Sequence, residues 1–199
     1  PLNPTTASES APRWQAWSEA RLQSELAAGR HWLVLDAPVM DQALLADLAS
    51  AFAPVAERLQ VWSLGPLQQA KGLGPVTSLA DLQALAGALA GQGPLRVSDR
   101  LFVQGREPFV WSVFLAAREL GLAESQIQLA HAGSQRRRVW CAHCHGLTED
   151  VSSSTVACAG CGRELLVRDH FSRRHGAFMG VMVDAEVPGQ RPVREELFP

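Results

Sequence analysis

All four cysteines of the chain stand in two pairs, Cys141-Ala-His-Cys144 and Cys158-Ala-Gly-Cys161, with 13 residues between the pairs. A C-x-x-C pair closes a tight turn whose backbone amides point at its sulfurs, and two such turns supply a tetrahedron of thiolates at about 2.3 Å from a metal ion. Gly162 follows the second pair, where such a turn favours a residue able to take positive φ. Zinc is the expected ion, with a rubredoxin-type iron as the alternative that accepts the same four ligands. His143 and His145 are substitute ligands in principle, but four cysteines leave them as exposed residues of the turn. Because four protein ligands close the coordination sphere, the metal is expected to be structural and not catalytic. Asp169-His170 and His175 are the remaining acid/base groups nearby, and no nucleophile, glycine loop or paired carboxylate accompanies them. No catalytic and no cofactor-binding residue is therefore assigned to this chain.

The chain has 199 residues, 47% of them hydrophobic, and a net charge of −2, enough for one sizeable domain and a small metal-stapled module. The charge is uneven. Residues 1–135 carry 9 basic and 12 acidic side chains, residues 136–175 carry 7 Arg against 4 acids, and residues 176–199 carry 2 Arg against 4 acids. The cysteine-bearing stretch is thus a local basic patch between acidic neighbours. Its arginines either offset the net −2 of a divalent ion among four thiolates or form a docking face, Arg136, Arg137, Arg138, Arg168, Arg173 and Arg174, for an acidic partner that their planar forks pair with. No apolar run approaches the ~20 residues of a membrane span. Free thiols and no visible export signal in Pro1-Leu-Asn-Pro-Thr-Thr6 make a cytoplasmic location the expectation.

An α/β fold is expected, a mostly parallel sheet flanked by helices, followed by a small zinc-ribbon or rubredoxin-like module. Residues 1–29 read as a loose arm and a helix over 14–28 carrying Trp14, Trp17, Leu22 and Leu26. An α/β domain over 30–135 follows, with strands at His31–Asp36, Leu59–Leu64, Arg100–Gly105 and Ile127–Ala130, and Leu95–Val97 as a further short candidate. Helices are expected after Asp41, after a capping-box-like Ser78/Asp81, and over 108–120. The alternation of strand and helix argues for the parallel sheet. The four-cysteine ribbon is placed at 136–176, with Val156, Leu165 and Val167 under the turns. Residues 177–199 are read as a strand, Ala177–Val183, and a tail ordered by docking to another subunit.

Two resemblances add to this reading. Leu101-Phe-Val-Gln-Gly-Arg-Glu-Pro-Phe-Val-Trp-Ser-Val-Phe114, continuing to Arg118-Glu-Leu-Gly-Leu-Ala-Glu-Ser-Gln-Ile127, resembles the end of the nucleotide domain of ferredoxin–NAD(P) reductases. That family places a glycine-rich loop after its first strand so that backbone amides approach a pyrophosphate. Here the loop is Leu35-Asp36-Ala37-Pro38-Val39-Met40, and Gln104 stands where the family has a cysteine. The resemblance thus implies a reductase-like fold that has lost hydride chemistry, with Gly105 and Pro108 shaping the turn into a helix. Further on, Val167-Arg-Asp-His-Phe-Ser-Arg-Arg174 after the cysteines, and Gly176-Ala-Phe-Met-Gly-Val-Met-Val-Asp-Ala-Glu-Val-Pro-Gly189, resemble the DmmA-like subunit of bacterial dimethylamine monooxygenase, the haem-dependent oxidative N-demethylase. This resemblance implies an accessory subunit, scaffold or electron relay. Its implied partners are a haem catalytic subunit, a flavin and iron–sulfur reductase subunit and a folate-linked aminomethyltransferase-like subunit, which would carry the haem, flavin and iron–sulfur groups. The competing readings are a divergent NAD(P)H-dependent reductase with rubredoxin-like iron, and a zinc-ribbon adaptor binding nucleic acid.

Overall fold

The computed structural model describes residues 21–27, 29–67 and 72–198. The chain divides into two compact units, one ending at Gly133 and the other starting at Ser134. The expected arm over 1–12, and Trp14 and Trp17 of the expected first helix, lie outside the described residues.

In the first unit five strands form one parallel sheet: β1 (His31–Asp36), β2 (Leu59–Leu64), β3 (Val76–Leu79), β4 (Arg100–Gly105) and β5 (Ile127–His131), in the order β3-β2-β1-β4-β5. The helices are α1 (Gln42–Phe52), α2 (Leu82–Ala90) and α3 (Glu107–Glu119). Asp41 and Asp81 start α1 and α2 by accepting the N–H of Leu44 and of Ala84, each at 2.8 Å. Pro at the first turn of α3 costs no hydrogen bond there. Strand parity sends Leu33, Leu35, Val61, Phe102 and Ala130 into one core with Leu45, Leu48 and Phe52 of α1. The alternate residues Trp32, Val34, Leu101 and Val103 are buried as completely, so the opposite face is covered too. α2 and α3, which pack on each other, contribute the buried Leu85, Leu89, Val110, Val113 and Ala117.

Several expectations for this unit change. Residues 21–27 are not helical. Their polar groups are taken up by the sheet unit instead of by a helical ladder: the Glu25 carbonyl faces the His31 ring at 3.0 Å, the Gln23 N–H donates to Gln128, and the Ser24 hydroxyl donates to the Ala51 carbonyl. Ser78 lies in β3, so Asp81 alone caps α2. Residues 95–97 form no strand, since the Arg96 N–H and carbonyl are engaged by the Asp99 carboxylate and by the Asp99 N–H and Gln126 side chain.

The second unit is a five-stranded sheet of β6 (Arg137–Cys141), β7 (Leu147–Val151), β8 (Thr155–Ala157), β9 (Glu164–Ser172) and β10 (Ala177–Met182), in the order β7-β6-β10-β9-β8. All neighbours are antiparallel except β6 and β10. β10 sits in the middle, so residues 177–182 belong to the sheet that carries the cysteines and are not an appendage to it. The reason is steric as well as topological: a Cβ on Gly180 would lie 2.7 Å from Val139 and 2.9 Å from Leu165, so glycine lets β10 sit close against those side chains. Among the described residues no helix is long and apolar enough to cross a membrane.

Candidate metal centre

The two C-x-x-C pairs occupy equivalent turns. The first joins β6 to β7, the second β8 to β9. In each turn the first cysteine's N–H donates to the carbonyl five residues on, Cys141 to Gly146 at 2.9 Å and Cys158 to Arg163 at 2.8 Å. In each, its carbonyl accepts the N–H four residues on, from His145 and from Gly162, both at 2.9 Å. That fifth position is left-handed in both turns, with φ of 63° at His145 and 72° at Gly162. The expected use of Gly162 is therefore observed, and its counterpart is a histidine whose ring stacks on Trp140 at 5.1 Å between centroids. His175 stacks on the same indole, 4.7 Å away.

The turns bring the four sulfurs within 4.8 Å of one another. Cys141 and Cys161 stand 4.0 Å apart, Cys144 and Cys158 3.6 Å. A tetrahedron with metal–sulfur bonds near 2.3 Å has edges of about 3.8 Å, so the cluster is already of the size a four-thiolate ion requires. The donor set fits zinc and iron alike. Cys141 and Cys158 are buried, while Cys144 and Cys161 stand on the exposed side. Gly146 and Gly160 close in on Cys144, where an added Cβ would meet its sulfur at 3.3 and 3.2 Å. The N–H groups of Cys161 and Gly160, with burial opposing them, draw the Cys158 thiol down to about 6. Cys144 behaves oppositely. The Gly146 N–H is its largest single influence and favours the thiolate, but the neighbouring sulfurs and desolvation outweigh it and push the thiol up to about 11.

Below the turns lie Val139, Val151, Leu165, Val167 and Phe178, with Val156 and Phe171 packed against them, which includes the three residues expected there. The arginines expected to form one docking face separate. Arg137 is buried and pairs with Asp169 at 2.7 Å. Arg138 pairs with Glu149 at 2.6 Å and Arg168 with Glu186 at 3.2 Å. Arg136, Arg173 and Arg174 are exposed. Asp169 accepts from Arg137, and His175 stacks on the Trp140 indole.

The other place where chemistry is expected is the carboxyl edge of the first sheet, between β1 and β4, where the strand order reverses and ligands bind in open α/β sheets. Here that crevice holds an internal ion pair. The buried Asp36 carboxylate accepts from the Arg106 N–H at 3.2 Å, its Nε at 2.7 Å and its Nη2 at 3.0 Å. The carboxylate thus stands beside the start of α3, where an anionic ligand would otherwise be placed. A Cβ on Gly105 would lie 2.4 Å from Asp36 and 2.6 Å from Phe109, so Gly105 serves helix–strand packing. Gln104 donates to the His131 carbonyl at 2.7 Å. Proline in the β1 loop was visible in the sequence, but its ion pair was not, because Arg106 lies 70 residues from Asp36.

Comparison with known proteins is consistent with this picture. The family described as "Dimethylamine monooxygenase subunit DmmA-like, C-terminal domain" matches residues 138–181. The heme-dependent oxidative N-demethylase delta subunit of Ectopseudomonas mendocina (strain ymp) is 38% identical over 113 residues, 57% of this chain and 63% of that subunit. The chain thus covers somewhat less than two thirds of the length of that curated relative. No solved structure matches the chain.

Proposed function

We propose, from the match of residues 138–181 to the DmmA-like domain and the likeness to the delta subunit, that the chain is an accessory subunit of a multicomponent oxidoreductase that oxidatively N-demethylates a methylated amine such as dimethylamine. In this reading the second unit is a zinc ribbon. It organises contacts between a haem-bearing catalytic subunit and a flavin and iron–sulfur reductase subunit, with a folate-linked aminomethyltransferase-like subunit completing the assembly. The amine pocket and the haem belong to another chain. The observation that carries the proposal is the closed four-sulfur cluster inside the segment matched to the DmmA-like domain, since four protein ligands leave no position for substrate. The occupied crevice between β1 and β4 supports a scaffold over a nicotinamide-dependent reductase. The second unit holds at most a shallow apolar core, so metal binding supplies much of its folding free energy, on the order of 10 kcal/mol for a four-cysteine zinc site.

Cys158→Ser tests this. The variant is expected to lose the metal, one zinc per wild-type chain by elemental analysis, and to stop co-purifying with the oxidase subunits. A metal-free variant that still assembles with full N-demethylase activity refutes the organising role. Iron with thiolate charge-transfer bands that bleach on reduction would instead assign the site to electron relay.

A further inference from the structure

The two cysteine turns sit on separate hairpins, β6–β7 and β8–β9, and the chain passes from one to the other through Ser152-Ser153-Ser154. β10 joins the two hairpins within the sheet, and this link is the second tie between the two halves of the sulfur cluster. One side is held from within the sheet: the Val167 N–H donates to the Ser154 carbonyl at 2.8 Å, and the Ser153 hydroxyl donates to the Thr155 carbonyl at 2.8 Å. The other side is held by residues 195–198. The Ser154 N–H donates to the Glu195 carbonyl at 2.8 Å, and the Glu195 N–H returns a bond to the Ser154 hydroxyl at 2.9 Å. The N–H groups of Leu197 and Phe198 both donate to the Ser152 carbonyl, and Ser153 and Glu196 form an antiparallel bridge.

Phe198 then enters the core beneath the turns, with 9% of its surface exposed. Its ring and that of Phe178 enclose the Arg137 guanidinium, whose central carbon lies 3.7 Å from one centroid and 3.8 Å from the other. Asp169 neutralises the cation at 2.7 Å. A desolvated guanidinium between two ring faces is among the stronger cation–π arrangements. Both Arg137 and Phe198 fall outside the matched segment 138–181, so that segment is completed by residues flanking it.

We propose that the 195–198 segment is a clasp that pre-positions the metal site, with Arg137 and Phe198 as its positioning residues. The inference rests on the four-cysteine metal reading. Thiolates brought together beforehand bind an ion without the cost of ordering the link between them, so a released clasp weakens metal binding without touching a ligand. It also reassigns Arg137 from a partner-facing residue to an internal one, and the segment from subunit docking to docking on its own unit.

The test uses the full chain loaded with zinc. Phe198→Ala and Arg137→Met are each expected to release zinc to a competing chelator about tenfold more readily, the loss of roughly one strong cation–π contact. The double variant should be little worse than either single one, because both remove the same contact. Hydrogen exchange at residues 152–155 should quicken in Phe198→Ala while β6 and β9 stay protected. Wild-type zinc retention with unchanged exchange at 152–155 overturns the clasp. Exchange that quickens throughout β6–β10 overturns its positioning role in favour of general destabilisation. If the wild type takes up neither zinc nor iron, the metal reading fails on its own, and the exchange at 152–155 still decides whether residues 195–198 hold the link.

Discussion

Two left-handed residues show what the metal turns demand of single side chains. Gly162, at φ 72°, has nothing within 4 Å of where a Cβ would stand, so any penalty for a larger residue there is purely one of backbone. Gly162→Val is expected to cost about 1–3 kcal/mol. Thermal unfolding of the zinc-loaded protein measures this, and an unchanged midpoint would show that the turn does not need the left-handed conformation. His145 holds the same conformation at φ 63° in the other turn with a bulky side chain, and its stacking on Trp140 offsets part of that cost. The C-x-x-C spacing and Gly162 were legible because the turn chemistry is local. The role of His145 was missed, although it directly follows the second cysteine of its pair just as Gly162 does, because a histidine there carries no mark of a left-handed backbone.

At the scale of elements, the amino edge of the first sheet is tied by Asp99, just before β4, and Arg30, just before β1. Arg30 reaches Asp99 through Nε at 3.0 Å and Nη2 at 2.6 Å, and also donates to the carbonyls of Gln92 and Pro94. Burial alone would raise the Asp99 carboxyl, but the hydrogen bonds from Arg30 and from the Arg96 N–H outweigh it and hold the carboxyl below its ordinary range. A carboxyl lowered in the folded state stabilises the fold above its unfolded value near pH 4, and that stabilisation is lost as pH falls through the lower folded value. Asp99→Asn is therefore expected to cost about 2 kcal/mol at neutral pH and to flatten the acid limb of a stability-against-pH curve. An acid limb identical to the wild type would place the acid sensitivity elsewhere. Strands β1, β2 and β4 match the segments expected from their apolar runs. β3 was missed, since its four residues are only partly buried and carry no apolar run.

At the scale of the whole molecule, the exposed arginines are fewer than the composition suggests. Arg137 is internal and Arg138 is largely covered, whereas Arg136, Arg173 and Arg174 stand exposed, Arg173 and Arg174 in the turn between β9 and β10. If this turn meets an acidic partner subunit, Arg173→Glu with Arg174→Glu should weaken association at least tenfold at low ionic strength, with the difference shrinking as salt screens the pair. Calorimetric titration against the purified oxidase subunits measures it, and salt-independent, unchanged affinity would remove this turn from the interface.

What the sequence by itself determined is the part written in short-range chemistry: two cysteine turns, the helix start at Asp41, the buried strands of an α/β unit, and the likeness of residues 138–181 to a DmmA-like C-terminal domain. What only the tertiary structure decided are pairings between residues far apart in the chain. Asp36 meets Arg106 and occupies the crevice at the sheet's reversal point. Arg137 meets Phe198 and turns a basic residue into part of a core. In both cases a charge that reads as available in sequence is neutralised by a partner distant in the chain, Arg106 lying 70 residues from Asp36 and Asp169 32 residues from Arg137. Local pattern encodes which elements form, whereas the side chain that satisfies a given charge is chosen by packing, once those elements have been brought together.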